Sequence, residues 1–111
     1  MFSKKHRLNT KEFEYTLAKG RVYRGRFFYV RIIKNNFGII KVGVAVSKKI
    51  AKTSVKKNYY KRVLRHVARE AIGNLNLGFD IIIIGNEDIK NRKFEDLRED
   101  AIQLFKKTNM F

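Results

Sequence analysis

The segment from Val55 to Glu70 repeats its cationic side chains at the spacing of an α-helix. At about 100° per residue, five polar side chains, here called the basic ridge, fall within an arc of roughly 100°: Asn58, Lys61, Arg62, Arg65 and Arg69. The other side of the same helix is apolar and comprises Tyr59, Tyr60, Val63, Leu64, Val67 and Ala71. An apolar stripe of this kind docks a helix on a hydrophobic core, so the pattern predicts a docked helix with a cationic outer face.

The charge of this helix is not balanced by acidic residues nearby in the chain. No Asp or Glu occurs between Glu14 and Glu70, a segment that holds more than half of the 26 Lys and Arg residues. Solvated helices usually alternate charge sign, whereas like charges packed this densely repel one another and cost stability. Together with a net charge of +16, the pattern predicts a polyanionic partner and favours nucleic acid.

Length and composition limit the remaining possibilities. A chain of 111 residues suits one domain, predicted to span 1–111, and its 44% hydrophobic residues favour folding over disorder. The absence of cysteine excludes disulfides and thiolate metal sites, and no apolar run approaches the roughly 20 residues that cross a bilayer. The basic start, Met1 to Arg7, leads into no apolar segment, so we expect no signal peptide, no membrane association and a cytoplasmic location.

Capping signals and apolar periodicity predict two further helices. The first begins at Asn9 or Thr10, ends at Gly20 and turns Phe13 and Leu17 inward. The basic helix is expected from about Ser54 to Ala71 and to end at 73–78. The closing helix has an apolar face formed by Phe94, Leu97, Ala101, Leu104 and Phe105. Its other face carries Glu95, Asp96, Glu99 and Asp100, which are interpreted as a solvated surface and not as a metal site.

Alternating β-branched and aromatic residues predict the strands. The runs 27–33 and 39–46 are expected to form a hairpin through the turn 35–38, with a short leading strand at 21–24. The run 79–84 is apolar on both faces and is predicted to be a buried strand. The resulting order is helix, two or three strands, helix, strand, helix, which is a mixed α+β fold with helices layered on one sheet.

The run Gly43 to Lys49, followed by Lys57-Asn-x-x-Lys-Arg-x-x-Arg65, resembles the signature of the bacterial ribonuclease P protein subunit. The resemblance covers nearly the whole chain. It implies a fold like the second domain of ribosomal protein S5, with the basic helix in a left-handed crossover between parallel strands. It also implies a non-catalytic subunit that binds a catalytic RNA and the 5′ leader of precursor tRNA. The holoenzyme, either one protein with one RNA or a higher assembly of these, would remove that leader with Mg²⁺ held mainly by the RNA.

The resemblance and the residue pattern together suggest two sets of RNA-binding side chains. The set expected to bind the catalytic RNA is Lys48, Lys49, Lys52, Lys61, Arg62, Arg65 and Arg69. The set expected to bind the leader is Phe13, Leu17, Tyr29, Arg31, Lys57 and Asn58. Period two places Phe27, Tyr29 and Arg31 on one side of their strand, where aromatic faces could stack on bases. For Phe13, core packing is nearly as good an interpretation as stacking.

Residues for protein-based catalysis are not evident in the sequence. The basic part of the chain offers only Glu12 and Glu14 as carboxylates, whereas metal-assisted cleavage needs them clustered. His6 is expected in a mobile terminus and His66 on the basic helix without an evident partner, so neither is assigned a catalytic role. Two positions depart from the family pattern: Lys57 stands where Arg is usual, and His66 where Glu is usual.

Four other classes of function remain as alternatives. A ribosomal or other structural RNA-binding protein would share the charge and the aromatics but would not prefer a 5′ leader. A DNA-binding helix lacks a visible helix-turn-helix partner or dimer seam. A protein-only nuclease would need activity without RNA, and a membrane-surface helix would need the apolar face that the core requires.

Overall fold

The computed structural model describes residues 6–47, 49, 52–72, 78–86, 89–90 and 92–108. Within these residues the helices and strands follow the chain order α1 (Thr10–Lys19), β1 (Arg21–Arg24), β2 (Phe28–Lys34), β3 (Ile40–Val46), α2 (Ser54–Ile72), β4 (Phe79–Gly85) and α3 (Phe94–Lys107). The predicted mixed α+β fold is confirmed, including the short leading strand. The segment 73–77, where α2 was expected to end, lies outside the described residues. No helix in the described part of the chain is long and apolar enough to cross a membrane.

The four strands form one sheet in the order β1-β2-β4-β3. β2 is antiparallel to both of its neighbours, β1 and β4, whereas β3 and β4 run parallel. The predicted hairpin between the runs 27–33 and 39–46 is therefore wrong. β2 instead forms a hairpin with β1, and β4 lies between β2 and β3.

The composition of β4 explains this arrangement. Ile81, Ile82 and Ile83 are completely buried, so both faces of the strand are covered and the strand favours a central position. The short turn at 35–38 favours pairing of β2 with β3. That hairpin would not give β4 the central position in which both of its faces are buried. The connection from β3 to the parallel β4 contains α2, which confirms the predicted crossover helix.

The hydrophobic core lies between the sheet and the pair α2 and α3. These two helices pack against each other, with α2 also on β3 and β4 and α3 on β1. Their buried residues are Leu64, Val67, Ala68, Ile72, Leu97, Ala101, Leu104 and Phe105. On β2, Phe28, Val30 and Ile32 face this core, as the period-two pattern predicts. Tyr59, predicted to lie in the apolar stripe, is instead 55% exposed.

α1 covers part of the opposite face of the sheet. The helix begins with a capping box, in which the Asn9 side chain accepts from the Glu12 amide and the Glu12 carboxylate accepts from the Asn9 amide. It ends at Gly20, as predicted. Thr16 is completely buried, whereas Leu17, predicted to face inward, is 42% exposed. The Thr16 hydroxyl donates to the Glu12 carbonyl at 2.8 Å, so a polar residue can occupy the inner position without an unpaired group.

One acidic residue of α3 has a structural role that the sequence does not reveal. The two carboxylate oxygens of Asp100 accept hydrogen bonds from the backbone amides of Arg26 and Phe27 at 3.0 and 2.9 Å. These bonds attach the turn between β1 and β2 to α3. The interpretation of the acidic face as entirely solvated is therefore wrong for Asp100, although Glu95, Asp96 and Glu99 are exposed.

Candidate nucleic-acid interface

The basic ridge lies on α2, and the start of this helix concentrates positive charge. The Thr53 hydroxyl accepts from the Lys56 amide at 3.2 Å, and its carbonyl accepts from the Lys57 amide at 3.0 Å. The first turn contains no acidic residue. Two lysines at the positive end of a helix dipole are unfavourable for the isolated protein, and a bound anion would relieve that repulsion.

The described part of the chain supplies no counter-charge to the basic ridge. None of the ion pairs or side-chain hydrogen bonds among the described residues involves a ridge side chain; the nearby acid, Glu70, faces His66 and Arg98 instead. The cations are therefore available to an external polyanion. The four cations of the ridge differ in exposure: Lys61 and Arg65 are half-buried, whereas Arg62 and Arg69 are exposed.

The half-buried flank of the ridge borders a cleft of about 300 Å³ at the edge strand β3. The cleft is lined by Arg7, Leu8, Phe13, Val42, Gly43, Val44 and Arg65. Arg65 reaches it from α2 and Phe13 from α1, so helices on opposite faces of the sheet contribute to one site. Lys57 and Lys61 precede Arg65 by eight and four residues and share its side of the helix. They form a cationic row that leads toward the cleft.

Phe13 occupies a position that depends on the glycine beneath it. A Cβ at Gly43 would lie 2.8 Å from Cδ2 of the Phe13 ring, closer than packed atoms tolerate. The absent side chain lets the ring lie directly on the strand. Core packing and a role in the cleft, the two interpretations of Phe13, are thus compatible, since the residue is half-buried and also lines the cleft.

The N-terminal segment 6–8 forms one wall of this cleft, a position that its residue pattern does not predict. His6 Nδ1 lies 2.8 Å from the Ile40 carbonyl, and the Leu8 amide donates to the Val42 carbonyl at 3.4 Å. Arg7 forms a parallel bridge with Val42. The expectation that His6 lies in a mobile terminus is wrong, because residues 6–8 run along β3. Arg7 and Leu8 were missed as lining residues, because the run from Ser3 to Arg7 is polar throughout and gives no periodic signal of a strand.

The sheet face beside α1 holds the predicted aromatic and cationic pair. Tyr29 and Arg31 are half-buried, and they pair in register with Ile84 and Ile82, on the side away from the main core. The guanidinium of Arg24 lies 5.4 Å from the centre of the Tyr29 ring. Arg31 Nη1 donates to the Gly20 carbonyl at 3.4 Å, at the end of α1. Aromatic surface and positive charge therefore occur together on this face.

Phe27 does not join this pair. It precedes β2, is only 4% exposed and belongs to the main core. The guanidinium groups of Arg26 and Arg92 lie 5.2 and 5.0 Å from its ring centre. Its predicted place beside Tyr29 and Arg31 is wrong, because the regular alternation begins only with Phe28. Gly43 and Ala45, expected on a strand adjacent to β2, are two strands away, about 9–10 Å across the sheet.

The remaining predicted RNA-binding residues lie around this region. Lys49 and Lys52, between β3 and α2, are exposed, as is Asn58 near the start of α2, whereas Lys57 is half-buried. Lys48 lies outside the described residues. Leu17, with Leu8, Thr10 and Phe13, lines a shallow depression along α1.

His66 has partners that the sequence did not suggest. Its Nε2 lies 3.8 Å from the Glu70 carboxylate, and its ring centre lies 4.7 Å from that of Phe94 on α3. Arg98 Nε lies 4.0 Å from the other Glu70 oxygen. The expectation that His66 lacks a partner is therefore wrong. Its contacts join α2 to α3 and turn it away from the cleft.

Two carboxyl groups near the start of α1 have opposite pKa shifts. The backbone hydrogen bond from Asn9 and the 2.7 Å contact with Lys41 lower the pKa of Glu12. Burial raises the pKa of Asp80, against a lesser opposing effect of its 2.8 Å hydrogen bond from Asn35. Among the described residues, no group of three or more His, Cys, Asp or Glu side chains could hold a metal ion. The described donors do not fit a resident Mg²⁺ site.

Fold and surface together define a class: a small basic α+β domain in which a cationic crossover helix adjoins a cleft lined by Phe13 and arginine side chains. Residues 2–109 match the family model for ribonuclease P, and the chain belongs to this protein family. A ribonuclease P protein component from Clostridium botulinum is 33% identical over 102 residues, covering 91% of each chain. One from Syntrophomonas wolfei is 31% identical over 112 residues, covering 100% of this chain and 93% of the relative.

Solved structures agree with this assignment. The ribonuclease P protein from Thermotoga maritima superposes with a TM-score of 0.77 at 26% identity, covering 91% of this chain and 96% of the other. The Staphylococcus aureus protein, at 24% identity, supports the fold with a TM-score of 0.80 over 96% of this chain and 97% of its own. The resemblance to the ribonuclease P protein subunit noted in the sequence is therefore confirmed.

Proposed function

We propose that this chain is the non-catalytic protein subunit of ribonuclease P. It binds the catalytic RNA and the 5′ leader of precursor tRNA, and it assists endonucleolytic removal of that leader. The observation that carries the proposal concerns the basic ridge, which has no counter-charge among the described residues. At Arg65 this ridge meets the cleft that Phe13 lines. Membership of the ribonuclease P family supplies the identity of the RNA.

The catalytic RNA is assigned to the four cations of the basic ridge and to the segment before α2. Phosphate contacts are expected from Lys48, Lys49, Lys52, Lys61, Arg62, Arg65 and Arg69. Such contacts fix position and contribute salt-dependent affinity without reading sequence. The assembly is one protein with one RNA, and cleavage uses Mg²⁺ held mainly by the RNA.

The leader is assigned to the α1 side of the cleft and to the adjoining sheet face, whereas Arg65 on the α2 side belongs to the catalytic-RNA set. The residues expected to contact it are Phe13, Leu17, Tyr29, Arg31, Lys57 and Asn58. Exposed or half-buried aromatic rings next to guanidinium groups suit single strands, because stacking on a ring is tolerant of base identity. A leader of variable sequence requires this tolerance.

Reconstituted cleavage tests the proposal directly. Precursor tRNA is incubated with Mg²⁺ at near-physiological salt, with a bacterial ribonuclease P RNA alone, the protein alone, or both. We expect efficient leader release only from the mixture. If the mixture adds nothing to the RNA while the protein still binds RNA, the chain is a structural RNA-binding protein. Cleavage by the protein alone would contradict the non-catalytic assignment.

Two substitutions separate the two RNA surfaces. Asn58→Ala is expected to weaken the holoenzyme's affinity for precursor tRNA more than for mature tRNA, whereas Arg65→Ala weakens assembly with the catalytic RNA. Lys106→Ala, an exposed cation on α3, is the matched control and should change neither affinity. An equal loss for precursor and mature tRNA with Asn58→Ala would refute its assignment to the leader.

A further inference from the structure

α2 exposes apolar side chains directly beside the basic ridge. Val55 is 79% exposed and Tyr59, one turn later, is 55% exposed. On the helical wheel these two residues lie on the Arg62 side of the ridge, away from the cleft that Arg65 lines. The proposed leader and catalytic-RNA contacts leave this strip unused.

The Tyr59 ring is held in place from one side. Its centre lies 5.3 Å from that of Tyr60, at an interplanar angle of 72°, which is an edge-to-face contact. Tyr60 is half-buried and packs against the core. The outer aromatic ring is therefore braced by an inner one and retains more than half of its surface for a partner.

The charges around Val55 and Tyr59 indicate which kind of partner would bind there. Lys52, Lys56 and Arg62 lie close to this strip along the chain and are exposed cations, and the first turn of α2 has no acid. A second copy of this chain would bring the same net charge of +16 and would be repelled. An apolar ring surrounded by cations matches a nucleotide, whose base stacks while its phosphate is neutralised.

We infer that Tyr59 is a stacking platform for an unpaired base of the catalytic RNA, with Val55 extending the contact and Arg62 holding an adjacent phosphate. The inference rests on the proposed function for the identity of the RNA. It adds a base contact to a surface otherwise assigned to phosphates alone.

Affinity at several salt concentrations tests the inference. Tyr59→Ala should weaken binding of the catalytic RNA by about 5- to 150-fold, the range for loss of one base–aromatic stack, without changing the slope of log affinity against log salt. Tyr59→Phe should bind like the unmodified protein. Arg62→Ala should instead reduce the slope by about 1. Tyr15→Ala, which removes a ring that is 59% exposed on α1, is the matched control and should have no effect.

Fluorescence gives a second readout that a merely structural role would not produce. The chain has no tryptophan, so Tyr59→Trp and Tyr15→Trp each create a single reporter. RNA binding should quench the first reporter strongly and the second little. Unchanged affinity for folded Tyr59→Ala, or equal quenching at both positions, would overturn the inference. Failure of the unmodified protein to bind catalytic RNA would instead overturn the proposed function.

Discussion

Replacing Gly43 with alanine is expected to destabilise the protein through a single side chain, Phe13. The new Cβ would lie 2.8 and 2.9 Å from Cδ2 and Cε2 of that ring. The next neighbour, a Leu8 methyl group at 3.2 Å, is the flexible end of a side chain and can yield, whereas the ring must shift as a unit. Overpacking of this kind costs about 1–3 kcal/mol. Alanine recovers about 0.5–1 kcal/mol because it loses less backbone entropy than glycine in a strand. The expected net loss is about 1 kcal/mol, the difference between the middles of the two ranges, and at most about 2.5 kcal/mol.

A double-mutant cycle isolates the ring as the cause. In a Phe13→Ala background the clash is gone, so Gly43→Ala should stabilise the protein by about 0.5–1 kcal/mol. The four proteins are compared by urea unfolding followed by far-UV circular dichroism. The diagnostic result is that Gly43→Ala lowers the free energy of unfolding when Phe13 is present and raises it when Phe13 is replaced by alanine. A similar loss in both backgrounds would show that Gly43 is required by the backbone and not by Phe13, and the account of this cleft wall would be refuted.

Three further predictions concern carboxyl groups and are checked by urea unfolding. Asp100→Asn should lose about 1–3 kcal/mol at pH 7, because a neutral Asn side chain can accept from only one of the two turn amides and presents its NH2 group to the other. The exposed Glu99→Gln is the control, and an equal change in both variants would contradict the role of Asp100. Glu12→Gln should be less stable than the unmodified protein at neutral pH. Because the folded pKa of Glu12 is lowered, the difference should vanish as the pH falls through that pKa, and a pH-independent difference would argue against its ion pair. Asp80→Asn should show the opposite trend. Burial raises the pKa of Asp80, so ionisation of this carboxyl destabilises the folded unmodified protein. The variant should therefore gain stability relative to the unmodified protein as the pH rises from about 4 to 7.

The helices could be predicted from the sequence because their determinants are local. Asn9 caps α1, Gly20 ends it, and the periodicity of α3 identifies its buried face. The pairing of β2 and β3 could not be predicted in this way, since the turn at 35–38 is a local signal and the intervening strand comes more than 30 residues later. The composition of β4 did contain the necessary information. A strand apolar on both faces belongs at the centre of a sheet, and that rule would have placed it between the other two.

Individual positions at the interface were harder to predict than the elements that carry them. Helical spacing places both Thr16 and Leu17 near the inner side of α1. Because leucine is the more apolar of the two, the sequence predicts that Leu17 is buried, whereas the structure buries Thr16. Only the hydrogen bond to the Glu12 carbonyl shows how Thr16 is accommodated. Tyr59 is a similar case, because an aromatic residue next to Tyr60 suggests core packing, and only its exposure in the structure points to a surface role.

The position of β3 at the edge of the sheet explains how one small domain can present the two adjoining surfaces to which the proposed function assigns RNA. α1 and α2 lie on opposite faces, so their side chains can line one cleft only around an edge strand, as Phe13 and Arg65 do beside β3. Had β3 paired with β2 in a hairpin, β4 would have taken the edge and the two helices would have been separated by another strand. The parallel pairing of β3 with β4 is therefore what brings the cationic helix to the cleft. On the proposed function, a change that weakens the pairing of β3 with β4 should weaken binding of both the catalytic RNA and the precursor tRNA leader. A change confined to one of the two surfaces should weaken binding of only one of them.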